Sequence, residues 1–337
     1  MAQLRNKHVA KRLQDLDNYL LDKYKKIRAS EQEERDYVAY ERDFMRRIKT
    51  AVKELEPLIN QATKDFVFYK GRGDKSKLTV NQKLRILLIK HLIEKSNRNM
   101  AYLMDIFSMV SGIDVSYKTI ERLYSDPETS LALHNFFILL LEKKEVKNVD
   151  ATGEATGYSL IVSKHYCSEA QKLKDKIKEQ DTSDKKKKIF VYQFAILDLK
   201  TRMYVCYGTS LISEKKAFEK AIELLRRTGI TINSIRLDRY YSCPSYFDFF
   251  PEAKIYIIPK KGVNIDHGTK WLETMKEFVN NTINYLREYY KRENSESSFG
   301  CDKKMFGSKI LQKRNERIDT AVCIKTIWHN LVWLYAS

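Results

Sequence analysis

Residues 189–211 read IFVYQFAILDLKTRMYVCYGTSL, and this stretch decides the fold class. Its two outer runs, residues 189–197 and 203–211, are rich in β-branched and aromatic residues, a composition that favours strands. Residues 198–202 between them (DLKTR) are polar and suit a turn. We therefore predict a β-hairpin.

Further strands and a helix are predicted on either side of the hairpin. Residues 146–150 (VKNVD) indicate a short strand before it, and residues 232–237 and 254–259 indicate two apolar strands after it. Residues 213–227 have helical spacing, and a short helical link precedes the last strand. The order β, β-β, α, β, α, β predicts a mixed sheet flanked by helices, an α/β domain over residues 144–337.

The N-terminal part of the chain, residues 1–143, is predicted to be helical, which makes the whole protein α+β. Residues 18–66 carry apolar residues at helical spacing among many charges and indicate a pair of amphipathic helices. Residues 71–77 (GRGDKSK) predict a basic, flexible break. At the other end of the chain, residues 271–306 have a long helical pattern, and residues 318–333 indicate a core helix.

A helix-turn-helix outline is predicted between about residues 80 and 125. The turn contains Gly112, and Ser116 is a preferred N-cap for the last helix. The three predicted helices span residues 80–94, 97–110 and 116–124. In such a module the last helix enters the major groove. The side chains it would present to DNA are Tyr117, Lys118, Glu121 and Arg122. An ordinary three-helix bundle has the same outline, and the net charge of the chain favours DNA binding.

The balance of charge predicts a polyanionic partner. Lys and Arg outnumber Asp and Glu by 62 to 44, so the formal net charge is +18. Nucleic acid is the first candidate for that partner, and a membrane surface is the rival. No stretch approaches the roughly 18 to 20 continuous apolar residues of a spanning helix, and the charged N-terminus does not resemble a signal peptide. We expect a soluble, cytoplasmic, nucleoid-associated protein.

The cysteines and histidines do not suggest a structural site. The five cysteines are scattered without any Cys-x-x-Cys spacing, and none of the six histidines pairs with Cys or Glu at ligand spacing. We therefore expect free thiols, no disulfide framework and no zinc.

Two acids follow predicted strands. Asp150 ends the strand KNVD and precedes the small residues ATG, and Asp238 ends the strand INSIRLD. Ligands commonly bind at the carboxyl ends of strands in open α/β sheets. An isolated Asp at such a position is more often a turn residue or a helix cap, so a third acid is needed to decide. Glu154, close to Asp150, is a candidate for a minor ligand.

The third acid is predicted on a helix. Tyr289, Arg292, Glu296 and Lys303 are separated by three, four and seven residues, which keeps them near one face of a helix. An acid on that face could reach a metal ion while the cations contact phosphates and Tyr289 hydrogen-bonds or stacks. A solvated helix with ion pairs is the simpler interpretation of such a charged stripe.

This spacing resembles a known family. The pattern Tyr-x2-Arg-x3-Glu-x6-Lys looks like the signature around the third acid of DDE-type insertion-sequence transposases. The first two acids, in VDATG and LDRYY, resemble the same family, as does the closing segment NERIDTAVCIKTIWHNL with its His329-Asn330 pair. The resemblance covers roughly residue 144 to the C-terminus.

The resemblance implies a fold, a reaction and a set of partners. It implies an RNase H-like core in which Asp150, Asp238 and Glu296 hold two Mg²⁺ or Mn²⁺ ions. The implied reaction is hydrolysis that frees a 3′-hydroxyl at the transposon end, followed by attack of that hydroxyl on target DNA without a covalent protein-DNA intermediate. The implied partner is double-stranded DNA with terminal inverted repeats. A homodimer is implied in the complex that joins two ends.

Three further features of the sequence are not part of the family signature. Residues 172–188 form a lysine-rich segment that is longer than expected and that we interpret as a solvated, phosphate-seeking insertion. An extra acid, Asp302, precedes Lys303. Lys260 and Lys261 follow a predicted strand and could meet phosphate near the acids, although surface lysines are as common at such places.

Two other functions fit parts of the sequence. A metal-dependent nuclease would cut DNA and join nothing. A helix-turn-helix regulator would bind DNA without cutting it, and it gives no reason for the spacing from Tyr289 to Lys303. Inverted repeats flanking the gene would favour the transposase over both.

Overall fold

A mixed β-sheet forms the centre of the C-terminal region. The computed structural model describes residues 4–31, 36–66, 77–162, 165–179 and 189–336. The strands within these ranges are β1 (Asn148–Leu160), β2 (Phe190–Asp198), β3 (Tyr204–Ser210), β4 (Thr231–Leu237), β5 (Lys254–Tyr256) and β6 (Lys309–Ile310). Their order is β3-β2-β1-β4-β5, with β6 paired to the far end of β1. The predicted mixed sheet flanked by helices is confirmed.

Both kinds of strand pairing occur in this sheet. Strands β2 and β3 form the predicted antiparallel hairpin, and β1 pairs antiparallel with β2. Strand β4 is parallel to β1 on its other side and to β5. The carboxyl end of β4 therefore lies beside the middle of β1.

Strand β1 is longer than the sequence indicated. The predicted strand ended at Asp150, whereas β1 continues for ten residues to Leu160. The residues ATG suggested a turn, but Gly153 has another role. A Cβ atom there would lie 2.8 Å from the side chains of both Leu237 and Phe194, so glycine permits close packing of the neighbouring strands. Asp150 is consequently near the start of β1.

The N-terminal region is helical, as predicted. Its helices are α1 (Asn6–Asp15), α2 (Leu21–Glu31), α3 (Tyr37–Lys53), α4 (Leu55–Thr63), α5 (Val80–Leu92), α6 (Met104–Ser111), α7 (Tyr117–Leu123) and α8 (Pro127–Lys143). A π-helical segment (Leu16–Leu20) joins α1 to α2, and a 3₁₀ segment (Asn99–Leu103) precedes α6. Most of the predicted basic break, residues 71–76, lies outside the described residues.

Caps define the predicted helix-turn-helix. Gly112 ends α6 in the left-handed conformation, at φ 69°, which glycine adopts without strain. The hydroxyl of Ser116 accepts a hydrogen bond from the Thr119 amide at 3.2 Å and so caps α7. The three helices are present, with shorter bounds than predicted.

The C-terminal region contributes the remaining helices. They are α9 (Glu169–Glu179), α10 (Glu214–Thr228), α11 (Thr269–Asn280), α12 (Thr282–Tyr289), α13 (Glu293–Phe306) and α14 (Asn315–Leu334). A 3₁₀ turn, Tyr290–Arg292, separates α12 from α13, so the long helical pattern is interrupted. Helix α9 includes the start of the predicted lysine-rich insertion, and residues 180–188 lie outside the described residues.

Helix α14 joins the two regions. It packs against α3, α5 and α8 as well as β3, and it is buried on nearly all sides. Two of its buried polar side chains find partners inside the protein: Trp328 donates to the Leu88 carbonyl, and Asn330 bonds both backbone groups of Tyr204. Within the described ranges, no helix is long and apolar enough to cross a bilayer.

Candidate active site

Three carboxylates meet at one guanidinium group. The Nη1 atom of Arg292 lies 2.7 Å from Glu296 Oε1, 2.8 Å from Glu154 Oε2 and 3.5 Å from Asp238 Oδ2. The three acids come from different elements: Glu154 from β1, Asp238 from the end of β4 and Glu296 from α13. We call these four residues the Arg292 cluster.

The register of the parallel strands places two of the acids side by side. Gly153 is paired with Leu237, so the next residues along each strand are Glu154 and Asp238. Asp238 also caps the following 3₁₀ turn, because its Oδ1 accepts a hydrogen bond from the Tyr240 amide at 2.8 Å. This contact holds the Asp238 carboxylate at the edge of the sheet.

Helix α13 is attached along the same face of β1. Ser295 lies 3.1 Å from Thr152 Oγ1, and Lys303 Nζ donates to Thr156 Oγ1 at 2.5 Å. Thr152, Glu154 and Thr156 alternate along the strand and therefore share one face. These two contacts hold α13 against the strand on both sides of Glu296.

The ring of Tyr289 packs against the guanidinium group of Arg292. The ring is 4% exposed, and the Arg292 guanidinium carbon lies 5.6 Å from the ring centroid. We expected Tyr289 to contact DNA directly. The side chain is buried by packing that helical spacing does not reveal. Tyr289 stabilises the arginine through a cation–π contact.

Burial and like charge shift the titration of the cluster. Burial, followed by the nearby Asp238 and Glu296, raises the pKa of Glu154 to about 7 against the lowering effect of Arg292. Burial lowers the pKa of Arg292, but Tyr289 and the carboxylates raise it more, so it lies above its ordinary value. The arginine stays charged, and Glu154 titrates near neutral pH.

The chain has a close relative among known proteins. It is 38% identical over 306 residues, 90% of each chain, to a probable transposase for the insertion sequence element ISA1214 of Archaeoglobus fulgidus. The chain belongs to the insertion-sequence transposases. No family model matches it.

Asp150 of this transposase lies apart from the Arg292 cluster. Its carboxylate accepts a hydrogen bond from Ser234, whose hydroxyl also accepts one from Arg236. Arg236 in turn pairs with Glu288. Glu154 lies four positions after Asp150, about 13 Å along a strand at 3.3 Å per residue. The structure thus brings together two of the three predicted acids, Asp238 and Glu296, and places Glu154 where we had expected Asp150.

A signal in the sequence could have indicated Glu154. Residues 150–157 read DATGEATG, a doubled motif that offers two acids on one face of an extended strand. Because the first ATG suggested a turn, only Asp150 was assigned to the edge of the sheet. The pairing of Gly153 with Leu237 places the second acid, Glu154, beside Asp238.

The predicted basic contacts of the transposase have different surroundings. Lys260 is exposed, and its Nζ donates to the Tyr240 carbonyl at 3.1 Å, two residues from Asp238. Lys261 is exposed but pairs with Asp17 at 3.2 Å. Lys303 is half-buried against β1, and burial lowers its pKa. Of these three, Lys260 is the exposed cation that contacts the segment following Asp238.

The predicted recognition helix keeps two cations in solvent. Lys118 and Arg122 are exposed on α7, four residues apart and so on one face. Tyr117 is partly buried against the core. Glu121 of the same helix pairs with Arg317 of α14, which fixes α7 to the C-terminal region.

The extra acid of the signature has a structural role. Asp302 is 3% exposed, accepts a hydrogen bond from the Tyr204 hydroxyl at 2.9 Å and contacts His329 Nδ1 at 2.7 Å. It therefore faces α14 and the sheet interior, away from Glu296. This contact also explains the histidine of the closing His329-Asn330 pair.

The three carboxylates of the cluster have the chemistry of a metal site, but they are not arranged as one. Three carboxylates suit a hard cation such as Mg²⁺. In the part of the chain that the structure describes, however, no three His, Cys, Asp or Glu side chains are grouped so that they could hold a metal ion. The guanidinium of Arg292 fills the space between the acids.

Proposed function

We propose that this transposase cuts DNA at the ends of its element and joins the freed 3′ ends to target DNA by DDE-type, metal-dependent phosphoryl transfer. The observation that carries the proposal is the convergence of Glu154, Asp238 and Glu296, from three separate elements, at one edge of the sheet. Carboxylates that meet from separate elements are what a two-metal phosphodiester site requires. The proposed cofactor is Mg²⁺ or Mn²⁺.

The reaction consists of two in-line displacements. In the first, water attacks the phosphorus at the transposon end, and the bond to the 3′ oxygen breaks to leave a 3′-hydroxyl and a 5′-phosphate. In the second, that hydroxyl attacks a target phosphodiester, and the target's own 3′ oxygen leaves. Bound divalent ions would activate the attacking oxygen and stabilise the leaving one.

The protein's own residues position these steps. Asp238 and Glu296 are two of the proposed acids, and the third comes from β1, which carries both Asp150, the residue that the resemblance implies, and Glu154. The contacts of α13 with β1 fix the position of Glu296 before DNA arrives. Such preorganisation is the main source of catalysis in phosphoryl transfer.

The proposed substrate is double-stranded DNA that carries the element's terminal inverted repeats. The net charge of +18 favours a polyanion, and the exposed Lys118 and Arg122 of α7 suit a helix-turn-helix contact. Lys260 lies beside the residues that follow Asp238 and suits a phosphate near the scissile bond. We propose a homodimer in the complex that joins two ends.

The proposal is tested by incubating the full chain with a plasmid that carries the gene's native flanks, with and without Mg²⁺, and mapping new 3′ ends. We expect metal-dependent nicks at the element boundaries, lost in Asp238→Asn and Glu296→Gln. Glu293→Gln is the matched control, because Glu293 lies on the same helix and pairs with Arg28 at 2.6 Å. Full cleavage by Asp238→Asn would overturn the proposal, and binding without cleavage would favour a regulator.

A further inference from the structure

We propose that Glu154, and not Asp150, supplies the β1 carboxylate of the metal site, and that Arg292 occupies the space between the acids until a divalent cation displaces it. This inference rests on the proposed function and assigns one position in it. It departs from the resemblance, which implies Asp150.

The first argument is the register of the sheet. A metal ion held by the residue that ends β4 must find its second strand ligand beside that residue. The pairing of Gly153 with Leu237 puts Glu154 there, whereas Asp150 is paired with Ser234, four residues before Asp238. Glu154 and Asp238 already share a partner atom in Arg292 Nη1.

The second argument is that Asp150 has a different set of partners. It accepts from Ser234, and Ser234 accepts from Arg236, which pairs with Glu288 of α12. This chain connects the start of β1 to β4 and α12. Asp150 therefore has a structural role that does not depend on a metal ion.

The third argument concerns the charge of the cluster. One guanidinium faces three carboxylates, so with all three ionised the cluster carries two negative charges in excess. Glu154 is 16% exposed, and charge that is so poorly solvated requires a partner. A divalent cation in place of the guanidinium reduces the excess from two negative charges to one, and the released guanidinium is free to bind a DNA phosphate in bidentate fashion.

The position of Arg292 makes its displacement feasible. It is the last residue of the 3₁₀ turn between α12 and α13, and its Nε is buried without a hydrogen-bond partner. Since the guanidinium now separates the acids, they do not form a ready metal site. The guanidinium is then an internal cation at the position that a divalent ion would take.

Binding of Mn²⁺ to the full chain tests the inference without any activity measurement. Free Mn²⁺ is followed by electron paramagnetic resonance, and isothermal calorimetry gives the affinity. We expect Glu154→Gln to weaken Mn²⁺ binding by about tenfold or more, as Asp238→Asn does, since each loses one charged ligand. Asp150→Asn is expected to bind within about twofold of the unsubstituted protein, because it keeps both cluster and charge balance.

Arg292→Gln tests the second half of the inference. Removal of the competing guanidinium is expected to tighten Mn²⁺ binding by at least about fivefold, because the ion no longer has to displace an internal cation. Weaker binding by this variant would overturn the placeholder role. Thermal unfolding of each variant in EDTA confirms that it is folded.

The outcomes separate this inference from the proposed function. If Asp150→Asn abolishes Mn²⁺ binding while Glu154→Gln binds normally, the assignment of Glu154 is wrong and the two-metal proposal stands. If the unsubstituted chain binds no Mn²⁺ at millimolar concentration and cuts no DNA with it, both are overturned.

Discussion

Replacement of Arg292 by glutamine perturbs the metal-free protein at the point where three acids meet. The side chain of Arg292 is 17% exposed, and its Nη1 lies within 3.5 Å of all three carboxylates. Glutamine keeps a polar group on a shorter side chain and removes the positive charge. We expect the variant to be less stable than the unsubstituted protein in EDTA.

The size of the loss follows from the exposure of each acid. Glu296 is 51% and Asp238 33% exposed, and pairs of that kind contribute about 0–1 kcal/mol. Glu154 is 16% exposed, and removing the partner of a buried charge costs about 3–5 kcal/mol. Glu154 can relieve part of this cost by binding a proton. We therefore expect a loss of about 2–4 kcal/mol at pH 8.

The loss of stability caused by Arg292→Gln increases from pH 6 to pH 8. Burial, with the neighbouring acids, raises the pKa of Glu154 to about 7, and removing Arg292 takes away the group that lowers it. At pH 6 Glu154 is mostly protonated in both proteins, so the ion pair contributes little and the loss is smaller. At pH 8 the unsubstituted protein has an ionised, paired Glu154, so the loss is larger than at pH 6.

The assay is urea unfolding in EDTA at pH 6 and pH 8, repeated with Mn²⁺. Arg287→Gln is the control, because Arg287 pairs with Glu31 at 2.5 Å but both side chains are about half exposed, and we expect a change below about 0.5 kcal/mol. Mn²⁺ should restore most of the stability of the Arg292 variant, since it binds the folded state. Equal stability at pH 8, or a larger loss at pH 6 than at pH 8, would refute the reasoning.

Three further predictions concern other parts of the molecule. Burial, and to a smaller extent Lys325, lowers the pKa of Lys90 to about 8. Burying the charged Lys90 therefore destabilises the folded protein fully below pH 8, and this destabilisation decreases as the pH rises towards 10.5. Lys90→Met should therefore gain about 2–3 kcal/mol in urea unfolding at pH 7 and less at pH 10, and a constant gain would contradict this. Lys118→Ala and Arg122→Ala should each lower the salt dependence of DNA binding by about 0.9 in log-log slope, measured by fluorescence anisotropy, and unchanged slopes would exclude α7 from the interface. Asp302→Ala should lose about 2–4 kcal/mol on thermal unfolding, because it leaves buried partners without an acceptor, and a loss below about 0.5 kcal/mol would show that the contact is not structural.

Local patterns predicted the hairpin and the helix caps. The runs of β-branched and aromatic residues in β2 and β3 specify strands without reference to the rest of the chain, and Ser116 specifies the start of α7 in the same way. These features depend on neighbours in sequence. They could be predicted because no distant contact competes with them.

The details of the site depend on contacts between distant segments. Gly153 allows close packing against Leu237 and Phe194, 41 or more residues away in the chain, and this contact makes ATG part of a strand. The register between β1 and β4 then decides that Glu154, rather than Asp150, faces Asp238. The burial of Tyr289 depends on tertiary packing in the same way. Spacing along a helix does not contain this information.

The most direct test of the central proposal uses a short duplex that ends at the element's boundary with a free 3′-hydroxyl, together with a supercoiled target plasmid. In Mg²⁺ we predict that the transposase joins the 3′ end to the plasmid, and that a 3′-deoxy end or the Asp238→Asn variant gives no joined product. Cleavage of DNA without joining, or joining that does not require the 3′-hydroxyl, would contradict strand transfer by in-line attack.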